Sequence, residues 1–361
     1  MKNRSKKVLI INRGWSDNLG DQAIKYTLEN ILKDLGCEVK FCDFIHGKKV
    51  DKYSKHQVNN NKSSSKLINI VFKSQLVKSI LWYLKNKDTF KRCLTDKAEL
   101  AIIGGGQLLH SNAIFPIALA GWAKHLNKNG CKIVLFGVGA VKDYNMINRN
   151  LIKYALKKID KIYVRDNESR LFIKSNFNKD AEVVPDVVFS IDKYIEPIEE
   201  NNLKSDYLIS ITSYERYYRY DKKSFLNKSD YYKYWCEKIN SVRQNNSKIM
   251  LFYSTYDDMK TAYDFLDYIE NNYNIKIELC KITTMENMIE YIYNSKCIIS
   301  SRMHPLIIAT SLGIAVEPVL ISDKLRSFSN LYIENKTNIQ EAKDKIFNTL
   351  KYIIEEKDGR K

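Results

Sequence analysis

Two side chains placed two positions apart, the guanidinium of Arg302 and the imidazole of His304, carry the clearest chemical potential in this chain. A guanidinium fork binds carboxylate or phosphate in bidentate fashion, and an imidazole can give or take a proton near neutral pH. Both follow the apolar run Ile298-Ile299, which ends in Ser300-Ser301, and both precede a helix-like pattern of Leu306, Ile307, Ala309 and Leu312. That order reads as strand, turn, helix. In open α/β sheets ligands gather beyond the carboxyl ends of strands, where helix N-termini aim backbone N–H groups at anions. The plainer alternative pairs Arg302 with a surface carboxylate and leaves His304 at the start of a helix that Pro305 begins.

A second arginine occupies a matching place. Lys161-Ile162-Tyr163-Val164 reads as a strand that runs into Arg165-Asp166-Asn167-Glu168-Ser169. Pairing of Arg165 with Asp166 or Glu168 is the ordinary explanation, yet exposed local pairs contribute only about 0–1 kcal/mol, so stability is a weak reason for it.

Stepwise along the chain, the elements that must position these groups alternate. Val8 to Ile11 is a strand, Gly14 to Asp21 a turn-rich loop, and Gln22 to Leu35 a helix by its apolar spacing. The loop glycines Gly14 and Gly20 do not form G-x-G-x-x-G, so dinucleotide binding is not indicated. Asn18 and Asp21 are candidate polar contacts, with a helix cap at Asp21 as the alternative. Glu38 to Phe44 reads as a second strand. Glu99 to Ile103 ends in Gly104-Gly105-Gly106, where backbone can approach a ligand or a neighbouring chain closely, and Lys132 to Phe136 ends in Gly137-Val138-Gly139. A further short strand, Glu182 to Asp186, contains Pro185. Successive strand ends bearing glycine or charge suggest a doubly wound domain.

The second half restarts the alternation with strands at 207–211, 249–253, 275–279, 297–300 and 315–320, helices at 259–271 and 287–293, and a final helix over 340–356. At 361 residues the chain suits two domains of roughly 150 residues each, expected at 1–195 and 203–361 around an acidic linker near 192–202. Residues 47–97 read as a variable insertion. Its polar start, 47–65, has little to bury, and Leu67 to Leu84 forms a basic amphipathic helix that suits either an anionic bilayer or its own core.

A net charge of +17 implies an anionic partner. Tyr214-Glu215-Arg216-Tyr217-Tyr218-Arg219-Tyr220 and Tyr231-Tyr232-Lys233-Tyr234-Trp235 interleave aromatic and basic groups, which could stack on bases or sugars or simply pack a helix face. No RNP strand pair accompanies them, so nucleic acid is not an expected partner. Seven scattered cysteines without C-x-x-C predict reduced buried thiols and no zinc cluster, and five histidines show no H-E-x-x-H spacing. No apolar run reaches the ~18 residues of a spanning helix, and the basic Met1 to Lys7 leads into a strand rather than a secretory signal. The expected place is the cytoplasm, at the inner face of the plasma membrane.

In order along the chain, Asn18-Leu19-Gly20-Asp21, Ile103 to Leu109, Phe136 to Gly139, Arg165-Asp166 with Ser169, Pro185-Asp186, Ser301-Arg302-Met303-His304 and Asp323-Lys324 resemble the polysaccharide pyruvyl transferase family. The resemblance covers most of the chain. It implies an α/β fold with two Rossmann-like domains facing across a cleft, similar to glycosyltransferase type B. It also implies transfer of the pyruvyl unit of phosphoenolpyruvate to two sugar hydroxyls as a cyclic ketal. Arg165, Arg302 and His304 match the family's donor site, and Met303 stands where relatives often carry Leu. Met303, Asn18, Gly20, Asp21, Gly104, Gly105, Asp186 and Lys324 follow as expected substrate contacts, with Asp21 or Asp186 assisting an acceptor hydroxyl. Phosphoenolpyruvate is then the donor substrate, no cofactor is expected, and divalent-metal dependence stays open. The acceptor would be a sugar on a lipid- or nucleotide-linked glycan precursor of the cell envelope. The chain departs from the family at Ala140-Val141, at His110 and across 47–97. A glycosyltransferase using a nucleotide sugar and a non-catalytic basic scaffold are the competing readings.

Overall fold

A computed structural model describes residues 5–45, 75–93, 97–111, 114–140, 144–196, 204–220, 224–243, 247–335 and 337–356. Its central strands are short, apolar and buried on both faces, the pattern that parallel sheets covered by helices require, while the edge strands are partly exposed. In the first half these are β1 (Lys7–Asn12), β2 (Glu38–Asp43), β3 (Leu100–Gly104), β4 (Lys132–Val138), β5 (Lys161–Val164) and β6 (Glu182–Val183). They form one six-stranded parallel sheet in the order β2-β1-β3-β4-β5-β6. The turn back at β1/β3 opens a crevice at the carboxyl ends of those strands. In the second half β7 (Ser205–Ser210), β8 (Ile249–Leu251), β9 (Glu278–Leu279), β10 (Ser295–Ser300) and β11 (Ala315–Pro318) make a five-stranded parallel sheet, β11-β10-β7-β8-β9.

The connecting helices in chain order are α1 (Leu19–Asp34), α2 (Gln75–Cys93), α3 (Ile114–Lys128), α4 (Met146–Leu156), α5 (Asn167–Phe177), α6 (Tyr214–Tyr220), α7 (Lys228–Val242), α8 (Tyr256–Tyr273), α9 (Met285–Tyr293), α10 (Met303–Ser311), α11 (Asp323–Phe328) and α12 (Ile339–Glu355). The sheets meet through α1. The Leu19 N–H donates to the Ser254 carbonyl at 2.9 Å, and the α1 side chains Leu19, Ile24 and Leu28 share one core with Leu306 and Ile307 of α10. A 3-10 segment, Val187–Lys193, lies in the same core, and Ser311 donates to the Phe189 carbonyl at 2.9 Å. The chain finally returns to the first sheet, where Glu356 pairs with Lys161 at 2.8 Å and with Lys132.

Several expectations shift. Helix α1 begins at Leu19 rather than Gln22, because Asn18 is the cap: its Oδ1 accepts the Gly20 N–H at 3.0 Å. Asp21 is therefore not the cap. The expected strand 182–186 stops at Val183, and Asp186 instead caps the 3-10 segment by accepting the Val188 N–H at 3.2 Å. The amphipathic helix expected over 67–84 is found over Gln75–Cys93, and 67–74 lie outside the described residues. The reading of all cysteines as reduced is corrected by a Cys42–Cys93 disulfide, which ties the end of α2 to β2. Its partners lie 51 positions apart and carry no spacing signal. Cys37, Cys131, Cys236 and Cys280 are buried thiols that take no part in this disulfide. No helix among the described residues is long and apolar enough to cross a membrane.

Candidate active site

The carboxyl end of β10 builds one wall. Its last residue, Ser300, accepts the Arg302 N–H through Oγ at 2.9 Å, and Arg302 takes an extended conformation as the residue that precedes α10. Its side chain makes no cap bond and is left for the cleft. There it forms an ion pair with Asp258 of α8, and its Nη2 also donates to Thr255 Oγ1 at 3.4 Å. Asp258 is buried, and burial pushes its carboxyl up to about 7 against the pull of Arg216 and the threonine hydroxyls. The guanidinium contact favours the charged form, so the pair is ionic above neutrality and loosens as the pH falls below it. The Arg302 Nε is buried with no hydrogen-bond partner among the described residues.

Two residues further, His304 lies against the first domain. Its side chain is only 13% exposed, and Nε2 stands 3.7 Å from Asp186 Oδ2. Neither atom has a hydrogen-bond partner among the described residues. Arg165 approaches the same carboxylate oxygen through Nη1 at 4.0 Å and reaches Asp166 Oδ2 through Nε at 3.4 Å. Burial alone would push Asp186 up, but His304 and Arg165 together hold it below the usual carboxylate range. Asp166 also caps α5 by accepting the Ser169 N–H at 2.6 Å, and Ser169 Oγ accepts the Ala140 N–H at 2.9 Å. These bonds fix the loop that carries Arg165. Arg165, Asp186 and His304 thus form one cluster drawn from both domains.

Glycine makes this approach possible. A Cβ at Gly20 would lie 2.3 Å from His304 Nδ1, and one at Gly139 would lie 2.7 Å from Arg165 Nη2. Gly105 has φ +75° and faces Ile24 of α1, where a Cβ would come within 2.1 Å of Cγ2. Gly104, by contrast, is a strand residue packed on the Phe136 carbonyl, and the neighbours that border the cleft are Gly105 and Gly106. Asn18 and Asp21 border it too. Asp21 accepts a hydrogen bond from Ser16 Oγ at 3.2 Å and lies 3.9 Å from Arg13 Nη1.

Between the walls is a cavity of about 270 Å³ bordered by Arg13, Arg165, Arg216, Arg219, Arg302 and Lys324, with Asp21 the one carboxylate among its lining residues. Met303, buried, contributes part of the wall. Lys324, in the first turn of α11, is pushed down to about 7 by burial and by the like charges of Arg165 and Arg216. His110, whose ring centroid lies 5.3 Å from that of Phe115, is pushed down by burial and by Arg13, Lys324, Arg216 and Arg219. A cleft of this sign is an anion site. Its chemistry combines forked donors for carboxylate and phosphate with a carboxylate-backed imidazole for proton transfer.

Sequence reasoning placed Arg165, Arg302, His304 and Lys324 but passed over Arg13 and Asp258. Arg13 follows β1 as Arg165 follows β5, so the strand-end rule could have found it. Asp258 has no such signal, because it pairs with a residue 44 positions away. The tyrosine-rich segment resolves into two roles. Tyr217 and Tyr231 are buried against Phe225, while Arg216 and Arg219 face the cleft.

The polysaccharide pyruvyl transferase family model matches residues 18–316. The chain belongs to that family. The span matched by the polysaccharide pyruvyl transferase model holds Asn18, Gly20, Asp21, Arg165, Asp186, Arg302 and His304, residues of both walls of the cleft, while Arg13 and Lys324 lie outside it. Among solved structures it is similar to a UDP-N-acetylglucosamine 2-epimerase from Rickettsia bellii at 11% identity and TM-score 0.53, covering 97% of this chain and 96% of the other. It is also similar to the Methanocaldococcus jannaschii UDP-GlcNAc 2-epimerase in complex with UDP-GlcNAc and UDP, at 13% identity and TM-score 0.52, covering 96% and 99%. At these identities the likeness concerns the fold: two parallel α/β sheets in glycosyltransferase type B arrangement. No curated protein matches the chain.

Proposed function

We propose that the cleft binds phosphoenolpyruvate and that the protein transfers its pyruvyl unit to two hydroxyls of a sugar, releasing phosphate and leaving a cyclic ketal. The single observation that carries this reading is the cluster of Arg165 and Arg302 around His304 and Asp186, inside the region of the family match, with Lys324 lining the same cavity just beyond that region. Phosphoenolpyruvate sets a carboxylate and a phosphate on one small frame, and planar guanidinium forks suit both. Proton delivery from His304 to the methylene carbon turns it into a methyl group and leaves a cationic carbon beside it. The first sugar hydroxyl adds there and gives up its proton. Departure of phosphate regenerates the cation, and the second hydroxyl closes the ring. Two hydroxyl protons are released in all; one replaces the proton His304 gave, and the other leaves with phosphate. Asp186, an anion 3.7 Å from the ring, stabilises the imidazolium between steps and holds the ring in place. The basic residues serve to hold the leaving phosphate.

Incubation with phosphoenolpyruvate and a panel of free and carrier-linked sugars tests the reading by phosphate release coupled to a gain in acceptor mass. Failure to bind millimolar phosphoenolpyruvate would contradict it. The type B fold favours a second reading, glycosyl transfer from a nucleotide sugar, which nucleotide release in the same panel would support.

The acceptor's place at the inner face of an anionic membrane belongs to this proposal. Helix α2 supports it with exposed Ile80, Leu81 and Leu84 beside exposed Lys85, Lys87, Lys91 and Arg92. Co-sedimentation with phosphatidylglycerol vesicles, lost in Leu81→Glu/Leu84→Glu, is the expected result, and equal sedimentation of both proteins would remove this element.

A further inference from the structure

Ketal formation frees two hydroxyl protons, and His304 takes up one of them. A second imidazole borders the same cavity. His110 lies on the loop between β3 and α3 of the first domain, so each wall of the cleft carries one ring. The loop is pinned on both sides of it. The Leu109 carbonyl accepts a hydrogen bond from Tyr144 Oη at 2.5 Å, and the Ser111 carbonyl accepts one from Nδ2 of the buried Asn148 at 2.7 Å. The half-buried ring packs beside Phe115, which itself lies under the Arg13 guanidinium at 5.5 Å. These contacts set the position of His110 before any substrate enters.

The two rings sit in opposite surroundings. His304 has the carboxylate of Asp186 at 3.7 Å from Nε2. His110 is pushed below the ordinary histidine range by burial and by Arg13 of its own wall, with Lys324, Arg216 and Arg219 acting from the other wall. Near neutral pH it is therefore an uncharged ring, able to accept a proton. Groups whose surroundings are tuned apart in this way divide into acid and base. Asp21, the one carboxylate among the lining residues, is already engaged: it accepts from Ser16 Oγ at 3.2 Å and stands 3.9 Å from Arg13.

We propose that His110 is the base that takes the proton of the first attacking hydroxyl and the acid that returns it to the departing phosphate. The proposal rests on the donor reading above and supplies its second proton path. The O–H bond of the hydroxyl breaks as its oxygen bonds to the cationic carbon, and the proton passes to His110. The bond from that carbon to the phosphate oxygen then breaks, its electron pair staying on the oxygen, which takes the proton from His110. The second hydroxyl gives its proton to His304, replacing the one spent on the methylene carbon. Both rings end as they began. A weak base is sufficient for the first transfer, because a hydroxyl bonded to a cationic carbon is strongly acidic.

The test is phosphate release by the full chain from phosphoenolpyruvate, with methyl β-D-galactopyranoside as the probe hydroxyl donor and with water alone, whose addition yields pyruvate. His110→Ala and the shape-keeping His110→Asn should each lower release by about 10²-fold. Thermal melting should stay near that of wild type, and calorimetric phosphoenolpyruvate affinity should change less than twofold. Added imidazole should raise release by His110→Ala at least tenfold, whereas pyrazole, a ring of the same size but a far weaker base, should not. Release within twofold of wild type in both variants, or equal rescue by imidazole and pyrazole, overturns the assignment of His110 and leaves the donor reading standing. If phosphoenolpyruvate does not bind to wild type, the donor reading falls and the proton path falls with it. If it binds but wild type releases no phosphate to either probe, NMR of ring-labelled histidines in the donor-loaded protein decides. A neutral His110 whose signal moves on addition of the galactoside sustains the assignment, and a charged or unmoved ring overturns it.

Discussion

The two walls of the cleft are built differently. The first domain supplies room: Gly20, Gly105 and Gly139 lie where any side chain would strike His304, Ile24 or Arg165. The second domain supplies most of the charge, with Arg216, Arg219, Arg302 and Lys324 on its elements against Arg13 and Arg165 from the first. Proton transfer depends on both, because the imidazole belongs to the second domain and the carboxylate beside it, Asp186, to the first. A shape-giving wall and a charge-giving wall should therefore fail in different ways when altered.

The largest loss is expected on the charged wall. His304→Ala should lower phosphate release by about 10²–10⁴-fold while thermal melting stays near that of wild type, as removal of a general acid does. A variant that turns over at close to the wild-type rate would detach His304 from the chemistry. On the other wall, Gly20→Ala adds one methyl group against the same ring. A displacement of about 1 Å at a reacting group costs on the order of 10²-fold, so kcat should fall by about that much with phosphoenolpyruvate binding largely kept. Gly36→Ala is the control, since Gly36 has φ +75° but no atom within 4 Å of the added Cβ. It should cost about 1–2 kcal/mol of stability and leave turnover unchanged. Equal turnover in both alanine variants would mean that the wall at Gly20 does not position His304.

A smaller effect should separate charge from shape by pH. Lys324, lowered to about 7, is charged below that value and mostly neutral above it in the free protein. A bound anion favours the ammonium, so binding above pH 7 must take up a proton, and affinity for phosphoenolpyruvate should fall as the pH rises from 7 to 9, by no more than tenfold per unit. Lys324→Arg keeps its charge throughout and should flatten that slope. An unchanged slope would take Lys324 out of the donor site.

Much of the fold was legible because each strand is an apolar run that ends abruptly, and β10 with its Ser-Arg-x-His turn is the clearest case. Strand boundaries failed where backbone chemistry outweighed hydropathy, as at Asp186, whose capping bond ends the strand pattern early. The candidate site was legible where a residue sits at a strand end. It was hidden where function depends on contact across the sequence, as with Asp258 beneath Arg302 or Arg216 and Arg219 among packing tyrosines. Cys42 and Cys93 show the same limit, since nothing local to either thiol reveals the other.

A crystal structure with phosphoenolpyruvate bound puts the central claim to its most direct test. The expected electron density lies between the two walls, with the carboxylate and phosphate on Arg165, Arg302 and Lys324 and the methylene carbon turned toward His304. Phosphoenolpyruvate bound outside this cleft, or bound within it with the methylene carbon facing away from the imidazole, would contradict the account.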